Sequence, residues 1–61
     1  MQYENIPNNP MMLLSFMNTK LRDEHMNLSE LCYDIEVEQS YIEEKLAMID
    51  YTYDSNLNRF V

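Results

Sequence analysis

The chain has no glycine, one cysteine and only four lysine or arginine residues among its 61, and each shortage removes a class of chemistry. Without glycine there is no permissive loop whose backbone could close around a phosphate. Left-handed turns fall instead to aspartate and asparagine, the next most tolerant residues, and Asp50, Asp54, Asn56 and Asn58 gather in the last stretch of the sequence. The lone Cys32 permits no intrachain disulfide, and together with His25 it falls short of the ligand set of a structural zinc site. A reducing compartment fits. Four cations against eleven carboxylates leave a formal net charge of −7, which speaks against a basic stripe for phosphates and against an anionic membrane surface. Long apolar runs are missing too. PMMLLSFM is interrupted by Ser15 and far too short to span a bilayer, and Glu4 sits where a signal peptide would carry basic charge. These absences together suggest a soluble, cytoplasmic protein.

What is present has clear helical periodicity. Residues 1–9 show none, and Pro7 and Pro10 favour extended backbone before them, so they read as an N-terminal arm preceding one domain over 10–61. Asn9 followed by Pro10 marks a helix start, because asparagine caps and proline lacks only an N–H that the first turn leaves unpaired anyway. Leu13, Leu14, Met17 and Leu21 recur at helical spacing to about Glu24, and Met12 and Phe16 widen that stripe. Asn27 with Glu30 three residues on is a capping-box signature for a second, short helix carrying Leu28, Leu31, Cys32 and Ile35 on one face. EVE turns the chain, with Val37 buried. Glu38 then opens a third helix, with Ile42, Leu46 and Ile49 facing inward and an end near Asp50. YTYDSNLNRFV closes as a hairpin: a DSNL loop pairs Tyr51 with Phe60, buries Tyr51, Tyr53 and Phe60, and turns Thr52 and Arg59 outward. The predicted fold is mostly α, a three-helix, helix-turn-helix-like domain with a short, wing-like C-terminal β-hairpin.

Three blocks, IPNNPMMLLSFMNTKLRD, NLSELCYDIEVEQSYIEEKLAMIDYTYD and NRF, stand in an order that resembles the small bacterial proteins grouped as domain of unknown function 4250. The resemblance runs from about Ile6 to Phe60. In that family glycine is common where this chain has Asp50. It implies no activity, and it carries no catalytic, cofactor or metal residue onto this sequence.

Among candidate sites, Asp54, Asn56 and Asn58 have the spacing of the first ligands of a calcium loop, but Arg59 occupies the position that needs glycine and the distal acid is missing, which leaves a polar turn. Cys32 shares an apolar face and reads as an inert thiol, and His25 as a helix-end or surface residue rather than a base. No nucleophile has a base and an orienting partner, so no enzyme, cofactor, metal or small-molecule substrate is expected. The leading expectation is an interaction module, a homodimer or an adapter for a protein partner, using an apolar face of Met11, Met12 and Phe16 flanked by Met48. The bland alternative keeps these side chains over the core or under the arm. A second surface on helix 3, with Gln39, Ser40, Glu43 and Glu44 outward, would suit a basic protein. The same helix would be the reading element of a nucleic-acid binder, but it presents two carboxylates and no lysine or arginine there, so nucleic acid stands second.

Overall fold

The computed structural model describes residues 6–24 and 26–61. Most of the expected arm and the assignment for His25 lie outside them. The elements run α1 (Pro10–Glu24), α2 (Leu28–Asp34), α3 (Gln39–Ala47), β1 (Tyr53–Asp54) and β2 (Arg59–Phe60), three helices followed by a two-stranded antiparallel hairpin.

Local chemistry accounts for the helix starts. The side-chain oxygen of Asn9 accepts hydrogen bonds from the N–H groups of Met11 (2.9 Å) and Met12 (3.2 Å), satisfying donors that the first turn cannot pair internally. Asn27 and Glu30 form the reciprocal capping box: Glu30 N donates to Asn27 Oδ1 at 2.8 Å, and Asn27 N donates to Glu30 Oε1 at 3.4 Å. Glu38 precedes α3 in extended backbone and makes no side-chain cap.

The exits of α2 and α3 share one device. After α2, Val37 N donates to Cys32 O and Glu36 N to Tyr33 O, with Glu36 left-handed at φ 59°. After α3, Tyr51 N donates to Leu46 O and Asp50 N to Ala47 O, with Asp50 left-handed at φ 65°. Both are Schellman endings, in which a left-handed residue folds the chain back onto the last carbonyls. Glycine usually occupies that position. Here two acidic residues do, at a backbone cost that glycine would avoid.

The core gathers Leu13, Met17 and Leu21 from α1, Leu28, Leu31 and Cys32 from α2, Val37, and Ile42 and Leu46 from α3. Phe60 closes it at 2% exposure, with Tyr51 and Tyr53 half-buried beside it. The Tyr53 and Phe60 rings meet at 5.6 Å with their planes tilted by 59°, a favourable edge-to-face style of contact. Ile6 is also buried in this cluster, so the chain before α1 contributes to the core rather than only trailing from it.

The hairpin register differs from the expected one by two positions. Tyr53, not Tyr51, lies opposite Phe60, and Asp54 lies opposite Arg59, so the loop is Ser55–Asn58. Two features fix this. Tyr51 spends its N–H on Leu46 O and so belongs to the α3 ending. Asp54 Oδ1 accepts from Asn56 N (2.9 Å) and Leu57 N (3.2 Å), which starts the turn after Asp54, and Asn58 completes it in left-handed backbone at φ 55°. The burial pattern is unchanged by the shift: Thr52 and Arg59 are exposed as expected.

Candidate functional site

The hairpin is tied to α1 and to the start of α2, and side-chain amides do most of the holding. On the β2 side, Asn18 of α1 accepts from Phe60 N at 2.8 Å and donates to Phe60 O at 3.2 Å. One carboxamide thus occupies the donor and the acceptor that a third strand would use. Asn58 donates to Met26 O at 2.9 Å and accepts from the Tyr53 hydroxyl, which itself accepts from Leu28 N at the start of α2. The carboxylate of Asp54 and the carboxamide of Asn58 are therefore engaged in building the turn. Among the described residues no group of three or more His, Cys, Asp or Glu comes together in a way that could hold a metal ion.

Three of the four side chains expected on the apolar face are well exposed: Met11 56%, Met12 62% and Met48 73%. Met11 and Met12 are adjacent on the first turn of α1, whereas Met48 stands on a separate element at the end of α3. Phe16 differs from the expectation. It is half-buried, packs against the core cluster, and shares a shallow cleft with Ile6 and Ile35, while Lys20 Nζ lies 5.9 Å from its ring centroid. This matches the alternative in which these side chains lie over the core or under the arm, to which Ile6 belongs. Phe16 thus serves the core as well as the surface, and its substitution is no clean probe of association.

The second expected surface does come together. Gln39, Ser40, Glu43 and Glu44 are all exposed, and Gln39 Nε2 donates to Glu43 Oε2 at 3.0 Å. Ser40, Glu43, Glu44 and Ala47 of α3 and Thr52, Tyr53 and Phe60 of the hairpin line an open groove of about 440 Å³. No lysine or arginine lines it. The cations lie elsewhere: Lys20 pairs with Glu24 at 3.2 Å, Arg22 with Asp23 at 2.9 Å, and Lys45 sits 6.0 Å from the Tyr41 ring centroid. Arg22 and Arg59 border a different groove, between α1 and the hairpin.

Cys32 is 3% exposed, and burial pushes its thiol up to about 11, with the Glu43 carboxylate adding to the rise. Such a thiol stays protonated at neutral pH and is a poor nucleophile. Asn18 escaped sequence reasoning altogether, and of Asn58 the left-handed turn was expected but not its hydrogen bonds to Met26 and Tyr53. The available signal was a polar residue beside the apolar stripe of α1 and an asparagine, rather than glycine, at the end of a turn. No helix of the described residues is long and apolar enough to cross a membrane.

Over residues 7–60 the chain matches the family described as a domain of unknown function, DUF4250, and it belongs to that family. No curated protein and no solved structure matches it.

Proposed function

We propose that this DUF4250 protein is a non-enzymatic protein-interaction module, a homodimer or an adapter, that presents the methionines at the start of α1. The observation carrying this reading is that Met11 and Met12 project into solvent next to Leu13, which is wholly buried. Methionine is flexible and polarizable, so such a pair offers an adaptable apolar contact. A cytoplasmic setting suits the unpaired, buried Cys32. The order of three helices and a hairpin keeps nucleic-acid binding as the second reading. Against it, the groove beside α3 carries Glu43 and Glu44 with no cation, and phosphates would be repelled there.

The test is sedimentation of the wild type and of Met12→Lys over a range of concentrations, together with capture of partners with and without nuclease. Self-association, or a nuclease-resistant protein partner, that Met12→Lys loses while keeping its helical spectrum is the expected result. A wild type that stays monomeric and retains nothing that the variant loses would overturn the proposal. A retained set that vanishes with nuclease would favour the second reading.

A further inference from the structure

The two edges of the hairpin are treated differently. Thr52 and Val61 exchange both backbone hydrogen bonds, Thr52 N to Val61 O at 3.0 Å and Val61 N to Thr52 O at 2.8 Å. In an antiparallel ladder the next pair, Tyr53 with Phe60, is then a non-hydrogen-bonded pair whose N–H and C=O groups point away from each other. Phe60 gives both of its groups to Asn18. The backbone groups of Tyr53 make no hydrogen bond among the described residues and lie on the outer edge of β1, and Tyr53 lines, with Thr52 and Phe60, the groove that Glu43 and Glu44 also line.

The geometry points to the β1 edge as a docking site for an extended, basic peptide segment of another protein, which adds as a third strand at Tyr53 and sets its cationic side chains against Glu43 and Glu44. An unpaired donor and acceptor on one strand edge are what a strand adding to a sheet requires, and the side chains around them set which strand is accepted. The charge of the groove decides the occupant. A second copy of this chain would bring its own Glu43 and Glu44, on a protein of net charge −7, against the same carboxylates. Nucleic acid would bring phosphates. A strand bearing lysine or arginine removes the repulsion and gains steering toward an acidic protein. This site lies on α3 and the hairpin and is independent of the methionines of α1.

The experiment selects a displayed library of random 12-residue peptides against the intact chain. Enriched peptides rich in lysine and arginine are expected, with affinity that falls as salt rises. Binding should slow exchange of the Tyr53 amide, and Glu43→Lys with Glu44→Lys should weaken it at least tenfold, whereas Met12→Lys should leave it unchanged. If the doubly reversed variant fails to fold, Glu43→Gln with Glu44→Gln serves in its place, with a smaller loss in the same direction. Total synthesis with an ester in place of the Tyr53 amide deletes the N–H and keeps every hairpin bond, though the Thr52 carbonyl becomes a weaker acceptor for Val61 N, so the analogue's own fold is checked alongside. Affinity should then drop about fivefold, the value of one hydrogen bond. Neutral or acidic selected peptides, loss of binding in Met12→Lys rather than at the glutamates, or an ester analogue with full affinity would each overturn the proposal.

Discussion

The β2 edge of the hairpin is sealed by Asn18, while the β1 edge beside α3 is left open, although both belong to the same two-residue ladder. A short hairpin has little stability of its own. The sealed edge is where it is tied into the domain, so stability is concentrated there, and the open edge is where substitution should be cheap. The same contrast recurs at the turns feeding each strand. Asn58, before β2, is left-handed with its side chain committed to Met26 and Tyr53, whereas Asp50, before β1, is left-handed with an exposed side chain.

The largest expected effect comes from unsealing the closed edge. Asn18→Ala removes two hydrogen bonds and strands the partly buried N–H and C=O of Phe60, and should cost about 2–4 kcal/mol in chemical denaturation. A loss under about 0.5 kcal/mol would end the contrast between the edges. Next is pH. The Cys32 thiol ionises at about 11 when folded against an ordinary 9.0, so above pH 9 the unfolded chain sheds its proton first. The thiol's contribution to stability should be constant below that point and fall through the window between the two values by on the order of 2 kcal/mol. Cys32→Ala should abolish that component of the decline. Glu43→Gln should lower the thiol's ionisation point slightly, reporting on the open side by thiolate absorbance. Asn58→Gly keeps the left-handed backbone but loses the two side-chain bonds, and should cost about 1–2 kcal/mol by thermal unfolding. Asp50→Gly should go the other way, gaining up to about 1 kcal/mol as relief of the left-handed strain exceeds the added freedom of the unfolded chain. Equal and opposite results are not required; equal signs would sink the distinction. Smallest of all, Glu43→Lys with Glu44→Lys should change stability by no more than about 0.5 kcal/mol, since both side chains are exposed and make no ion pair among the described residues.

Much of the fold was legible because its signals are local. Asn9, Asn27 and Glu30 announce helix starts within a few residues of themselves, and the spacing of Leu13, Met17 and Leu21 identifies the buried face of α1 without any knowledge of its partners. The hairpin register was not legible for a definite reason. A shift of two keeps Tyr51, Tyr53 and Phe60 on one face, so alternation cannot choose between the two pairings. What chooses is the reach of Asn58 to Met26, 32 positions away, and the loss of Tyr51 to the ending of α3. The helical stripe likewise left Phe16 open between an apolar surface and a place over the core or under the arm, and its cleft with Ile6 and Ile35 favours the latter. The exposure of Met11, Met12, Met48, Glu43 and Glu44 was legible in the sequence; the open edge of β1 depends on which strand lies next to α1, and only the assembled fold supplies that.

The bonds between Asn18 and Phe60 span 42 positions. Capped helices can flicker into being early, since their contacts are near in sequence, whereas the seating of β2 on α1 joins the two ends of the fold. That contact is a long-range closure and not a local one, the kind whose loop-closure entropy slows folding. A chain cut short before Phe60 keeps α2 and α3 against α1 but loses both the ring that closes the core and the backbone groups that Asn18 holds.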